Sequence, residues 1–452
     1  MISIRNYKFR FCPATLKKQV EIMSRMKGIF GSFEMDSNLV KAAFDSADFS
    51  RSILESVSNE SVQQRADIGQ PHDYKIQDNL RKLYGKPGVK KAIIGGHPDF
   101  DHLVDTGGKE KGFVTSLFVD IQGSTRLGVY YSPDMVFYFK NQIIKCAIEC
   151  ALAFDGHVHR IMGDAVLAFF RGNGNDRNSA IDAINCGAVL VQFIREEVVP
   201  QLQARGLAED VGIRVGIDYG SKEQVLWAMY GYSGVSEVTA TSFHVDVAAK
   251  LQQNAPRNRV MLGQSIVELL DLHDEVIEVR QIKSSGEKVP QPYITPNYAD
   301  STGRPMNYKQ YVLSQNRYNA LLPYPEDKSL PIAISATLKR GKDDISEDKY
   351  FKCSRSVPLS HGIEFKALFR PTTLSNDIKA RFRVENNGRQ ASLVANKGNH
   401  ENMVVARRRE SGEYFAKIWE DTSYVGLHYM YVSILEDGRV TIPEQKFSVF
   451  IG

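Results

Sequence analysis

The chain has 452 residues, 42% of them hydrophobic, which is enough for two or three domains with sizeable cores. Its 57 basic and 53 acidic side chains give a formal net charge of +4, so the balance does not favour nucleic-acid binding. No apolar run approaches the roughly 20 residues needed to span a bilayer, and no signal-peptide pattern is present. Five cysteines without a Cys-x-x-Cys pair are typical of free thiols. We therefore expect a cytoplasmic protein without membrane contact.

Four segments follow one another along the chain. Residues 1–110 are predicted to be a charged, helical preamble, with a short helix over 78–84. Residues 111–280 alternate strand and helix patterns, which predicts an α/β domain of the α+β sandwich type. Residues 281–330 are rich in proline and are predicted to be a linker or extended arm. Residues 331–452 contain short β runs between turn signals, which predicts a separable all-β sandwich.

Two carboxylates in the second segment draw attention. Asp120 follows a compact apolar β run and precedes a loop of Gly123, Ser124 and Thr125. Asp164 lies at a glycine turn between two further β runs. Either aspartate alone is most simply a turn former. Brought together, two carboxylates can hold two divalent ions that neutralise phosphate charge.

The two segments together resemble the catalytic domain of class III adenylate and guanylate cyclases. The similarity rests on the patterns Phe-x-Asp-Ile-x-Gly-Ser-Thr and Gly-His-x-x-Arg-x-x-Gly-Asp. It implies that two Mn²⁺ or Mg²⁺ ions are bound by Asp120, Asp164 and the carbonyl of Ile121. It also implies that the loop over 123–125 wraps the phosphates of a nucleoside triphosphate.

Two further positions depart from the family pattern. Asp246 stands where the family usually has an asparagine that orients the ribose. Lys250 stands where the family usually has an arginine that steadies charge on the transferred phosphate. Both lie on one predicted helix face, where an Asp–Lys pair is also common on an ordinary solvated helix. The departures leave open weakened catalysis, or a degenerate domain that only binds nucleotide.

Base choice in the family depends on the positions of Arg160 and Thr239. Adenylate cyclases place lysine, and guanylate cyclases glutamate, where this chain has Arg160. A long side chain that carries only donors fits a pyrimidine, and its fork suits the adjacent acceptors O2 and N3 of cytosine. Thr239 can donate or accept and does not discriminate. We therefore expect cyclic CMP, with cyclic UMP or a conventional adenylate cyclase as alternatives.

The C-terminal segment adds a second resemblance. Its motifs around 381–388 and 424–429 are similar to a sensor domain attached to some bacterial cyclases. An arginine at the base position with this tail resembles the pyrimidine cyclases of bacterial Pycsar antiphage systems. That resemblance implies a homodimer with two composite sites and a separate effector reached through the cyclic nucleotide. His157 and His159 are interpreted as the wet face of a strand pair.

Overall fold

The computed structural model describes residues 75–204, 211–232, 234–342, 344–345, 347–373, 375 and 377–452. The preamble was predicted over 1–110, and its residues 1–74 lie outside the described residues. The short helix predicted over 78–84 is confirmed as Lys75–Leu83. It packs against the first long helix of the catalytic segment.

The elements are named here in chain order within the described residues. The helices are α1 Lys75–Leu83, α2 Ser124–Tyr130, α3 Pro133–Ala153, α4 Asp176–Phe193, α5 Val199–Ala204, α6 Phe243–Asn254, α7 Gln264–Leu270 and α8 Gln315–Asn319. The strands are β1 Lys109–Lys111, β2 Val114–Gln122, β3 His157–Met162, β4 Ala165–Phe170, β5 Gly212–Gly220, β6 Leu226–Tyr232, β7 Val235–Thr241, β8 Arg259–Gly263, β9 Ile277–Val279, β10 Gln281–Ser284, β11 Glu287–Pro290, β12 Gln310–Leu313, β13 Ile332–Lys339, β14 Asp348–Tyr350, β15 Ser356–Val357, β16 Gly362–Phe369, β17 Ile378–Glu385, β18 His400–Val405, β19 Arg407–Arg408, β20 Tyr414–Asp421, β21 Gly426–Glu436 and β22 Arg439–Ile451.

A seven-stranded sheet in the order β3-β4-β2-β5-β8-β12-β9 forms the centre of the catalytic segment. Its neighbours are antiparallel except for the parallel pair of β5 and β8. Side chains alternate across a strand, so Val260 and Leu262 join the core under α3 and α4, while Met261 joins the cluster under α6. Helices thus cover both faces, and the predicted α/β domain is confirmed.

Helix α6 lies unusually close to the sheet. A Cβ on Gly216 of β5 would lie 2.2 Å from the amide nitrogen of Gln252, so a larger residue at this position would push the helix away. The approach brings the C-terminal turn of α6 over β5 and next to β2, the strand that ends with Asp120.

A hairpin of β6 and β7 stands beside the central sheet and pairs with β1. Trp227 anchors it: the indole is fully buried, stacks on Phe100 with ring centroids 4.1 Å apart, and donates from Nε1 to the carbonyl of Gly112 at 2.9 Å. This hairpin was not predicted, although it carries Thr239.

Of the two readings of residues 281–330, the linker is wrong, whereas the extended arm agrees with the structure. This segment contains the hairpin of β10 and β11, and it then supplies β12, which lies between β8 and β9 in the central sheet. Tyr298 and Tyr308 pack with the apolar cluster under α6. The prolines bend an extended segment that covers the domain, and a strand of four residues is too short to stand out in the pattern.

The C-terminal segment is the predicted β-sandwich. Its two five-stranded sheets have the orders β14-β13-β16-β20-β19 and β15-β22-β21-β17-β18, with one apolar cluster between them. The runs predicted over 363–369, 379–385, 414–418 and 427–435 correspond to β16, β17, β20 and β21.

The sandwich packs directly on the catalytic segment. Leu427, Tyr429 and Phe450 belong to the same apolar cluster as α4 and the central sheet. Buried Asn185 of α4 donates to the carbonyl of Cys353 at 2.8 Å and accepts from Tyr318 at 2.8 Å. The two segments therefore share one core, which the expectation of a separable sandwich did not include.

Two further expectations concern composition. No helix within the described ranges is long and apolar enough to cross a membrane.

Four cysteines are buried free thiols, as expected: Cys146, Cys150, Cys186 and Cys353. Cys12 lies outside the described residues.

Candidate active site

Asp120 and Asp164 come together where β2 ends and β4 begins, within the central sheet. Asp120 pairs with Ala165 in the ladder of β2 and β4, so the preceding Asp164 in the turn is its close neighbour. The amide of Ile121 also donates to the carbonyl of Asp164 at 3.3 Å. The backbone thus gathers the two carboxylates that the sequence singled out.

Both carboxylates accept hydrogen bonds from polar neighbours. Arg214 lies directly opposite Asp120 in the ladder of β2 and β5 and makes an ion pair with its Oδ2. Gln252, on the last turn of α6, donates to the same oxygen at 3.1 Å. Ser124 donates to Oδ2 of Asp164.

The donor set fits a hard divalent cation. Two carboxylates and the nearby carbonyl of Ile121 are oxygen ligands of the kind that Mg²⁺ and Mn²⁺ prefer. Within the described residues, no group of three or more His, Cys, Asp or Glu side chains is placed to hold a metal ion.

The loop after Asp120 has the backbone of a tight bend. Gly123 has φ +84° and ψ 2°, a left-handed conformation that glycine adopts without strain. It precedes α2, whose first residues Ser124 and Thr125 follow at once, with Ser124 buried and Thr125 exposed.

The two base-position residues lie in one cluster, although β3 and β7 belong to different sheets. Glu237 of β7 makes an ion pair with Arg160 of β3. Nε2 of the neighbouring His159 lies 2.9 Å from Thr239 Oγ1 and 3.2 Å from Glu237 Oε1. The Arg160 side chain remains 49% exposed, so it is accessible to a ligand.

The prediction of a wet strand face at His157 and His159 is wrong. Both are buried, at 6% and 2% exposure, and both rings hydrogen-bond to the carbonyl of Gly95. Burial lowers the pKa of His159, and the backbone hydrogen bond that opposes this shift does not outweigh it. The segment before β1 therefore forms part of the base-position cluster.

Asp246 and Lys250 lie on α6 as predicted, but they do not pair with each other within the described part of the chain. Asp246 is exposed, and the Lys250 ammonium lies 5.8 Å from the centre of the Tyr298 ring. The pairing expected of an ordinary solvated helix is thus absent here, and both groups face solvent at least in part.

A buried polar network fixes the start of α6. Asp218 is fully buried and accepts from Tyr308 at 2.7 Å and from Ser265 at 2.8 Å, and it lies 3.0 Å from Nδ1 of His244. His244 stands in the first turn of α6, two residues before Asp246. Sequence inspection missed this network because its members lie on four separate segments.

Family models match the chain in two consecutive parts. Residues 108–295 match the adenylate and guanylate cyclase catalytic domain. Residues 313–452 match the adenylyl/guanylyl and SMODS C-terminal sensor domain. The two matches correspond to a nucleotidyl cyclase domain followed by a sensor domain.

Relatives match over nearly the whole length. A cytidylate cyclase of Escherichia coli is 40% identical over 443 residues, or 94% of each chain. A second Escherichia coli cytidylate cyclase is 33% identical, over 84% of this chain and 88% of that one. The solved adenylyl cyclase CyaB from P. aeruginosa is 19% identical, with a TM-score of 0.37, over 46% of this chain and 95% of that one. The chain belongs to the family of class III nucleotidyl cyclases that includes these cytidylate cyclases, and it is an enzyme of that family.

Proposed function

We propose that this enzyme cyclises CTP to 3′,5′-cyclic CMP and diphosphate. The observation that carries the proposal is Arg160, a donor-only side chain at the base position that is held by Glu237 and half exposed. Lysine or glutamate at this position would serve a purine. The names of the two full-length relatives support the same base.

The reaction joins the 3′-hydroxyl of the ribose to the α-phosphorus and releases diphosphate. Two divalent ions, when bound, lower the pKa of the attacking hydroxyl and neutralise phosphate charge. Asp120, Asp164 and the carbonyl of Ile121 would hold them. The loop over 123–125, which bends at Gly123, would meet the phosphates.

Residues of α6 complete the proposed chemistry. Lys250 supplies positive charge to the transferred phosphoryl group, though without the fork of an arginine. Asp246 accepts a hydrogen bond from a ribose hydroxyl. Arg160 and Thr239 contact the base.

We further propose a homodimer in which one chain offers its metal carboxylates and the other its base and α6 residues. Large exposed apolar side chains on the elements next to Asp120 and Asp164 support this, because exposed apolar patches mark interaction sites. These are Val129, Tyr130 and Phe137, exposed by 76%, 69% and 62%, with Ile161 and Met162 exposed by 36% and 39%.

The biological role follows from the resemblance alone. As a Pycsar-like cyclase, the enzyme would work in the cytoplasm and make a second messenger for antiphage defence. The messenger would switch on a separate effector.

A product assay tests the base. The full chain is given ATP, GTP, CTP and UTP at equal concentration, with Mn²⁺ and Mg²⁺ in parallel, and the cyclic products are separated by chromatography. Cyclic CMP should dominate. Cyclic UMP or cyclic AMP as the main product would refute the base assignment, and no cyclic product with either metal would refute the enzyme.

A further inference from the structure

The contacts of Thr239 limit what it can offer to a base. The carbonyl of Gly95 can only accept, and it lies 2.9 Å from Nδ1 of His159, so Nδ1 carries the hydrogen of the neutral ring. Nε2 is then an acceptor, and the Thr239 hydroxyl at 2.9 Å must donate to it. Thr239 has only one hydroxyl hydrogen. Towards a bound base it can therefore only accept.

Burial favours the neutral ring, while the nearby carboxylate of Glu237 opposes it. His159 is 2% exposed and packs against Phe169, with ring centroids 4.8 Å apart. Glu237 Oε1 lies 3.2 Å from Nε2, but the charge of this carboxylate is already balanced by Arg160. A neutral His159 has no hydrogen to give to Glu237. Oε1 of Glu237 thus keeps its capacity to accept.

Glu237 is also accessible. Its side chain is 28% exposed, beside an Arg160 that is 49% exposed. The ion pair uses Nη2 of the guanidinium and Oε2 of the carboxylate, so other hydrogens of the fork and the second carboxylate oxygen remain. The cluster therefore presents acceptors next to the remaining donors of Arg160.

We propose that Glu237 reads the amino group of cytosine beside Arg160, and that His159 is the positioning residue that makes Thr239 a second acceptor for that group. This rests on the proposed cyclisation of CTP and adds the residues that choose cytosine over uracil. The edge of cytosine offers an amino donor and then the acceptors N3 and O2. Carboxylates are the usual acceptors for this amino group where proteins read cytosine.

Uracil does not match the same pattern. It carries a carbonyl oxygen where cytosine has its amino group, so Glu237 and Thr239 would face an acceptor with acceptors. It also has a hydrogen on N3, which Arg160 cannot accept. Buried polar groups left without partners are what give such sites their discrimination.

The test is a competition between CTP and UTP with Glu237→Gln, which keeps the size of the side chain but removes its charge. The ratio of kcat/KM for CTP to that for UTP should fall about tenfold to hundredfold, since a good base contact is worth about 1–3 kcal/mol of discrimination. Glu223→Gln is the matched control, because it removes a surface carboxylate that pairs with Lys111. Its ratio should equal that of the wild type.

His159→Phe tests the second half of the proposal. The ring keeps its packing against Phe169, but Thr239 regains a free hydroxyl hydrogen. The CTP to UTP ratio should fall here as well, while the melting temperature reports any loss of fold separately.

The outcomes distinguish this proposal from the function on which it rests. A wild-type enzyme that prefers CTP, with both variants within twofold of its ratio, would overturn the role of Glu237 and His159 alone. A wild-type enzyme that prefers UTP or a purine would overturn both.

Discussion

At the residue scale, Asp120 has partners within the fold and a proposed role as a metal ligand. Arg214 and Gln252 hold its Oδ2, while the family role assigns it to a divalent cation. An alanine at this position would leave Arg214 without its carboxylate partner and would disturb the ends of the strands. Asparagine loses the charge that a cation needs but keeps the shape and an oxygen acceptor for Arg214 and Gln252, so it disturbs the fold less.

We predict that Asp120→Asn and Asp164→Asn each lower kcat/KM by on the order of 100-fold or more, because several kcal/mol of charge stabilisation depend on the bound ions. Circular dichroism should show an unchanged fold. The control is Asp78→Asn, the same change in an exposed pair with Lys82 on α1. Near-normal turnover in either active-site variant would exclude the metal role of that aspartate.

The carboxylates could be predicted because each is embedded in a contiguous motif on a strong strand pattern. Their partners could not, because contacts across the fold leave no local signal. Arg214 lies 94 positions from Asp120, and Thr239 lies 80 positions from His159. The tautomer of His159, which decides what Thr239 can do, depends on a carbonyl in a loop that showed no chemistry in the sequence.

At the scale of elements, α6 depends on residues 281–330, for which the sequence leaves a linker and an extended arm open. Tyr308 lies in the extended run before β12 and donates to buried Asp218, which also holds the first turn of α6 through His244. The segment thus fixes the helix that carries Asp246 and Lys250. Proline content alone cannot distinguish such a strap from a free linker, because both are extended and rich in turns.

Tyr308→Phe should therefore reduce activity, although Tyr308 is not among the residues proposed to contact the substrate. Removing one donor from a buried carboxylate costs about 1–3 kcal/mol of stability, and we expect kcat to fall about tenfold as the start of α6 shifts. Thermal melting and steady-state kinetics measure both. Tyr293→Phe, on the same segment and 38% exposed, is the control. If Tyr308→Phe lowers stability but leaves kcat unchanged, the network supports the fold and does not position α6.

At the scale of the whole molecule, a composite site can be tested by complementation. Under the proposed roles, Asp120→Asn chains lack a metal ligand and Lys250→Ala chains lack a positive charge at the phosphate, so each homodimer should be inactive. A mixed dimer should contain one site with both defects and one with neither, and it should recover part of the wild-type activity. Mixed dimers that form but stay inactive would show that each chain builds its own site.

The junction between the two domains gives the last prediction. The sequence pattern indicated that the sandwich could be removed near residue 331. The structure instead shares one core across this boundary: Leu427 and Phe450 are at most 1% exposed in the cluster with α4, and Asn185 donates to Cys353 across it. Cutting there would expose this apolar surface and leave buried polar groups without partners.

We therefore expect residues 1–330 alone to aggregate, and co-expression of residues 331–452 to restore soluble, active protein, as measured by size-exclusion chromatography and cyclase assay. A pair of point variants tests the same interface in the full chain. Leu427→Asp places a charge in the shared core and should lower the melting temperature and the activity together, while Val405→Asp, at a position 65% exposed on the sandwich, should change neither. Soluble, active 1–330 protein would mean that the sandwich only covers a catalytic domain that is stable by itself. Aggregation of residues 1–330, with rescue by residues 331–452, would show that the sandwich is part of the cyclase core. A ligand of the sensor-like tail could then act on α4 directly through packed side chains.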